Sequence, residues 1–296
     1  MRGIVRRGVV GLLAFGVSIL LLWLLVDPFG PVGDEIALER ERVRRRAIYA
    51  ARESLPGTPD PTTLQQRLAE QRLVLGSPVF VRIFKREFEL EVWLKRDGQF
   101  HRFATYPVCR FSGGLGPKLR EGDRQSPEGF YTVDAKALNP QSRWHKSFNV
   151  GYPNAYDRVH GRTGSYVMVH GGCSSVGCFA MTNGVIDEIW TLVTAALRAG
   201  QPRFQVQALP FRMSEAAMAA RSGHAQAEFW ADLKRGSDAF EATGLPPRVQ
   251  VCRGRYVTAE QTAPASDGSS EIAAGCPNEP ARAENRVRQR ATGRRS

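Results

Sequence analysis

Residues 166–183 read Y-V-M-V-H-G-G-C-S-S-V-G-C-F-A-M-T-N, and the fold is decided by how this stretch is taken. Tyr166–Val169 is a short apolar run with the composition of a strand, and it ends at His170. Gly171 and Gly172 then let the chain turn and approach closely, and Ser175-Val176-Gly177-Cys178 sets a thiol just ahead of a helical pattern. A nucleophile is commonly presented in this way. A free thiol with a pKa near about 8.5 is only a few per cent ionised at neutral pH, so a reactive cysteine needs a base beside it, and His170 is the nearest imidazole. The backbone N–H groups around Gly177, between Ser175, Val176 and Cys178, are candidates for holding an oxyanion, with Gly171 opening the loop.

Three other readings fit the same letters. His170, Cys173 and Cys178 are zinc-type ligands but only three in number, and His101, His145, His160 and His224 show no paired spacing to complete a site. Cys173 could pair with Cys178 as a disulfide. Cys178 could also be an inert core thiol.

Downstream, Ile186, Ile189, Trp190, Val193 and Leu197 follow helical spacing, with Asn183 expected as N-cap and Gly200 and Pro202 as the stop. Phe229, Trp230, Leu233 and Phe240 predict a further helix. Upstream, Val79–Lys85, Leu90–Arg96 and Gln99–Val108 read as strands, the last two joined by an Asp97-Gly98 hairpin turn, and Phe130–Asp134 and Phe204–Leu209 as two more. Ser112–Pro127 and Asn139–Gly164 read as long loops, and loops of that length usually do something. Mostly β with flanking helices (α+β) is the expected class.

The 296 residues carry 41 Lys+Arg against 29 Asp+Glu, a net +12. Arg2, Arg6 and Arg7 supply +3 at one end and the stretch Arg282–Arg295 supplies +5 at the other, so only +4 is left for everything between. The basicity belongs to the two ends, which argues against a nucleic-acid groove. Val9–Val26 is free of charge and would measure about 27 Å as a helix, enough to span a bilayer. With arginines before it, the expected arrangement is a single-pass inner-membrane anchor at 1–30, no small-x-small cleavage site, and the rest of the chain exported to the periplasm. A charged helical linker over 31–77, standing off the membrane, a compact domain over 78–212, a packed helical extension over 213–257 and a disordered basic tail over 258–296 complete the expected organisation. With Cys178 free, Cys109, Cys173, Cys252 and Cys276 allow three pairings in an oxidising compartment, and Cys252 with Cys276 is preferred because it ties the start of the tail to the domain.

Ser175-x-Gly177-Cys178 with an upstream His-Gly resembles the L,D-transpeptidase (YkuD-type) catalytic domain, in its YafK-like branch. The matching blocks occur in order: 116–123 (GPKLREGD), 126–131 (SPEGFY), 147–158 (SFNVGYPNAYDR), 161–164 (GRTG) and the His170–Met181 loop, within roughly 78–257. The broad family has a second histidine where this chain has Val176 and a longer gap between histidine and cysteine; both departures fit the branch. The resemblance implies a β-sandwich catalytic domain, no metal or cofactor, and peptidoglycan stem peptides as substrate. Carried over, Cys178 matches the nucleophile and His170 the general base and acid, in a transferase of cell-wall cross-linking or remodelling that a carbapenem would acylate. A hydrolase of the same fold, or a silent wall-binding module with Cys173 and Cys178 paired, are the alternatives. Lys118, His145, Tyr152 and Arg162 are candidate substrate contacts, each against a structural role.

Overall fold

The computed structural model describes residues 31–259 and 271–276. The apolar segment 9–26 and most of the basic tail lie outside the described residues, and among those described no helix is long and apolar enough to cross a membrane.

Strands β1 (Val79–Phe84), β2 (Glu89–Arg96) and β3 (Gln99–Pro107) form the start of a five-stranded sheet. With β5 (Gly129–Asp134) and β10 (Arg203–Leu209) it has the order β3-β2-β1-β10-β5. All six residues of β1 are buried because both faces of this sheet are covered. Val79, Val81 and Ile83 enter the main core, while Phe80 on the other face packs with Phe100 and Phe240. The hairpin between β2 and β3 turns at Asp97 and Gly98, both at positive φ (51° and 86°), the conformation that matches the right-handed strand twist.

The second sheet contains β4 (Arg110–Phe111), β6 (Leu138–Ser142), β7 (His145–Asn149), β8 (Met168–His170) and β9 (Phe179–Ala180) in the order β4-β9-β8-β7-β6. Its inward residues Phe111, Phe148, Val169 and Phe179 share one core with the first sheet. The segment 139–164 is therefore not a long loop, as its composition suggested, but holds the β6–β7 hairpin and the short helix α3 (Ala155–Val159). Asn154 closes α3 with a reciprocal capping box to Asp157, a signal hidden by the surrounding Gly and Pro.

Helix α4 (Asn183–Arg198) buries Val185, Ile186, Ile189, Leu192, Val193 and Ala196 as one stripe against this core. Thr182, not Asn183, is its N-cap, with Oγ1 accepting from the Val185 N–H at 3.4 Å. Helices α5 (Glu215–Ala219) and α6 (Ala227–Thr243) follow β10, and α6 covers the outer face of the first sheet through Phe229, Trp230, Leu233 and Phe240.

Two expected appendages are part of the fold. Helix α1 (Pro31–Ala50) does not stand off: Leu38 is buried in the main core, as is Leu68 of the short helix α2 (Leu64–Glu70), and buried Asp34 accepts from Arg86 and Arg221 at 2.7 Å. The sparse apolar positions of this helix hide its docking, which is carried by arginines. Arg42 and Arg45 lie over the rings of Phe111 and Phe88. At the other end, the expected disorder beyond residue 258 is interrupted. A three-stranded sheet of β11 (Arg248–Cys252), β12 (Arg255–Ala259) and β13 (Ala273–Ala274) forms there, Ile272 is buried, and a Cys252–Cys276 disulfide pins the return.

Candidate active site

Parallel neighbours normally need a connection of about a dozen residues or more, yet β8 and β9 are joined by only Gly171–Cys178. The loop closes because its strands are very short and because Gly177 takes φ 137°, a region closed to other residues. The turn is held by side chains. Ser175 Oγ donates to the Cys178 carbonyl at 2.7 Å and accepts from the Gly177 N–H at 3.2 Å, and Ser126 Oγ donates to the same carbonyl at 2.9 Å.

Register then places the reacting types. Val169 pairs with Phe179 and His170 with Ala180, so Met168 lies level with Cys178, and its N–H reaches the Cys178 sulfur at 3.4 Å. With side chains alternating along each strand, Val169 and Phe179 enter the core while His170 and Cys178 project from the opposite face. Their Cα atoms are one strand and two residues apart, about 8 Å, a span that an imidazole and a thiol can close between them. The Cys178 thiol is free, half-buried, and within 3.8 Å of the Tyr166 carbonyl.

Burial pushes the His170 imidazole below its ordinary value, against the hydrogen bond to Gly171. Nδ1 sits 2.5 Å from the Gly171 carbonyl, which can only accept, so Nδ1 carries the proton and Nε2 is left with the lone pair. Burial likewise pushes the Cys178 thiol up, opposed by the Met168 N–H and by Lys118. At neutral pH the pair is a neutral thiol and a neutral imidazole.

The disulfides settle two other readings. Cys173 is bonded to Cys109, so it neither locks Cys178 nor offers a thiolate to zinc. Among the described residues no His/Cys/Asp/Glu cluster could hold a metal.

The secondary candidates disperse. Lys118 is buried, its ammonium spent on Asp123 at 2.6 Å and the Arg120 carbonyl at 2.9 Å. Tyr152 is buried, its hydroxyl donating to the carbonyls of Lys118 and Thr163 at 3.3 and 3.2 Å. Arg162 pairs with fully buried Asp157 at 2.9 Å and stacks on Tyr156 and Phe229. His145 stays near the loop, bonded to Asp187 at 2.8 Å, and its Cβ crowds the place where a Cβ on Gly171 would sit.

Sequence reasoning missed the supports. Trp144 lies over Gly172, with its ring 6.0 Å from that of His170. Ser126 bridges the Ser112 N–H and the Cys178 carbonyl. Beneath it, fully buried Lys85 binds Glu128 at 2.9 Å and the carbonyls of Gly116 and Ser126, while Glu128 takes the Gly116 N–H and the Trp230 indole. Removing one partner of such a pair costs about 3–5 kcal/mol. Only the Ser-Pro-Glu-Gly block at 126–129 signalled it. A cleft of 890 Å³ opens between Tyr49–Pro61 and Thr182–Gly184, but neither Cys178 nor His170 lines it.

The L,D-transpeptidase catalytic domain (YkuD) family matches residues 79–207. The Escherichia coli (strain K12) protein named "Putative L,D-transpeptidase YafK" is 48% identical over 206 residues, 70% of this chain and 83% of that one. Among solved structures, the helical cell shape determining protein Pgp2 from Campylobacter jejuni aligns at 21% identity and TM-score 0.37, over 61% of this chain and 67% of that one. Bd1075 of Bdellovibrio bacteriovorus aligns at 19% and 0.33, over 56% and 57%.

Proposed function

The chain belongs to the L,D-transpeptidase (YkuD) catalytic domain family, and from that premise we propose that it is a cysteine acyltransferase acting on peptidoglycan stem peptides, with Cys178 as nucleophile and His170 as general base and acid. The observation that carries the reading is the shared face of His170 and Cys178, with the imidazole tautomer fixed by the Gly171 carbonyl.

In the proposed reaction His170 Nε2 takes the proton of the Cys178 thiol as the sulfur attacks the carbonyl of the diamino acid, at the bond from its L-centre to D-alanine. The sulfur–carbon bond forms, and the oxyanion is met by the backbone N–H groups of Val176 and Cys178, the intervening Gly177 N–H being engaged by Ser175 Oγ. The carbon–nitrogen bond then breaks and the imidazolium returns its proton to the departing D-alanine amine. An incoming amine, deprotonated by the same imidazole, resolves the thioester to a new cross-link; water in its place makes the reaction a hydrolysis. Burial works against a resting thiolate–imidazolium pair, which leaves the imidazole as a free base for the attack.

The export signals frame this activity. We place the domain in the periplasm behind the anchor 9–26, a compartment in which the Cys109–Cys173 and Cys252–Cys276 disulfides persist. Incubation with disaccharide tetrapeptides is the test. The reading predicts D-alanine release together with a cross-linked dimer; release with only monomeric tripeptide would make the protein a hydrolase, and no release would end the enzymatic reading.

A further inference from the structure

The tautomer of His170 hangs on a weak point of the chain. The carbonyl that takes its Nδ1 proton at 2.5 Å belongs to Gly171, and the peptide that carries this carbonyl joins two glycines, Gly171 and Gly172. Gly-Gly has the widest choice of φ and ψ of any dipeptide, so nothing in the two residues themselves keeps the carbonyl turned to the imidazole. A rotation of this one peptide would release Nδ1, and a released neutral imidazole carries its proton on either nitrogen.

The restraint comes from the tip of the β6–β7 hairpin. Ser142 pairs with His145 across a turn of Arg143 and Trp144, and His145 takes φ 70°, a value that a non-glycine residue rarely adopts. From this tip the Lys146 carbonyl accepts from the Gly171 N–H at 3.3 Å. A Cβ on Gly171 would lie 3.1 Å from the His145 Cβ, 3.1 Å from Ile186 Cγ2 and 2.6 Å from Asn183 Oδ1, and a Cβ on Gly172 would lie 3.0 Å from the Trp144 ring. The peptide is thus enclosed between the hairpin tip and the first turn of α4, and only glycine fits the space. The tip is tied down in turn. His145 Nε2 and Lys146 Nζ both reach Asp187 of α4, at 2.8 and 2.7 Å, Ser142 Oγ accepts from the Trp144 N–H at 3.2 Å, and Arg143 lies 5.4 Å from the indole. The Trp144 and His170 rings are 6.0 Å apart with their planes 34° from parallel, so the indole also limits the swing of the imidazole.

We propose that Trp144 is a positioning residue for His170: with His145 it clamps the Gly171–Gly172 peptide, and so keeps the Gly171 carbonyl on Nδ1 and the lone pair on Nε2. The proposal rests on His170 being the general base. A ring with its proton on Nε2 has no lone pair there for the thiol, so every chain that leaves the Nδ1–H form is lost to the reaction.

The test is nitrogen NMR of the full-length chain labelled with heavy-nitrogen histidine, at about pH 8.5, where imidazole is neutral. The spectrum separates protonated from lone-pair nitrogens in each ring, and the His170 signals are those missing from His170→Gln. The unaltered chain is expected to show His170 as a single Nδ1–H tautomer. Trp144→Ala should show a mixture with Nε2–H, and Trp144→Phe, whose ring still covers Gly172, should keep the single form. Asp187→Ala, which frees both His145 and Lys146, should give a smaller admixture. D-alanine release should follow the tautomer, falling about tenfold in Trp144→Ala and staying within about twofold in Trp144→Phe. Trp144 is 40% exposed on a turn, so melting should scarcely move. An Nδ1–H form that survives unmixed in Trp144→Ala, a Trp144→Phe that behaves as Trp144→Ala, or an unaltered chain without the Nδ1–H form overturns the proposal. The spectrum does not depend on turnover: if the tautomer shifts as expected while the unaltered chain releases no D-alanine, the acyltransferase reading fails and the clamp stands.

Discussion

The sheet β3-β2-β1-β10-β5 is made of strands six to nine residues long, paired along their length, whereas β4, β8 and β9 of the other sheet have two or three residues each. A long ladder with both faces buried holds itself. A two-residue strand cannot, and around Cys178 its place is taken by serine hydroxyls, a buried Lys85–Glu128 pair, the arginines of α1 and a disulfide. The proposed chemistry sits where the backbone ladder is weakest, because the loop that carries the thiol and the histidine on one face cannot also be regular strand. Supports made of side chains replace it, and each can be removed singly.

The largest effect is expected from the reacting pair. Cys178→Ala should lower D-alanine release at least about a thousandfold, since no other nucleophile is placed to replace the sulfur, while the thermal midpoint moves little; retained turnover would refute the assignment. His170 sharpens the same point through pH. Burial lowers its pKa, so the free base persists into more acidic solution than a free imidazole allows, and the acidic limb of kcat/KM should fall below pH 6.5. A limb at or above 6.5 would mean that the histidine is not held as described.

The two disulfides give the next contrast. Cys109–Cys173 closes 64 residues and ties the loop that carries Cys178 to the link between β3 and β4, while Cys252–Cys276 closes 24 at the chain's far end. On chain entropy alone the longer closure is worth about 0.9 kcal/mol more. Cys109→Ser with Cys173→Ser should therefore lower both stability and turnover, and Cys252→Ser with Cys276→Ser should lower stability less and leave kcat unchanged. Equal effects on kcat would show that the loop does not depend on its staple.

Single supports follow. Ser126→Ala removes one of the two hydroxyls on the Cys178 carbonyl and leaves the buried Ser112 N–H without its acceptor, so a loss of about 1–3 kcal/mol of stability is expected together with a several-fold loss of kcat. In the long sheet stability alone should change. Gly98→Ala, at φ 86°, should cost about 1 kcal/mol of stability and no activity, as unfolding in urea beside an initial-rate assay would show.

The same contrast explains what the letters disclosed. The strands at 79–107, the Asp97-Gly98 turn and the α4 stripe were legible because period-2 and helical patterns are written in consecutive residues. His170 and Cys178 were legible as chemical types on a Gly-rich loop, and the order of five blocks pointed to the family. The strands of two residues and the Ser126–Lys85–Glu128 support were not, since each depends on residues far apart in the chain, and the capping box in 154–157, though local, was masked by the Gly and Pro around it. Helix α1 was misread for a related reason: arginines that pair with carbonyls and rings look, in sequence, like a solvated surface.

The most direct test of the central claim is the mass of the intact protein after exposure to a carbapenem or to a disaccharide tetrapeptide. The account predicts a single covalent adduct located on Cys178, equal to the whole carbapenem or to the peptide less D-alanine, and absent from Cys178→Ala. An unmodified protein, or an adduct that persists without Cys178, would contradict it.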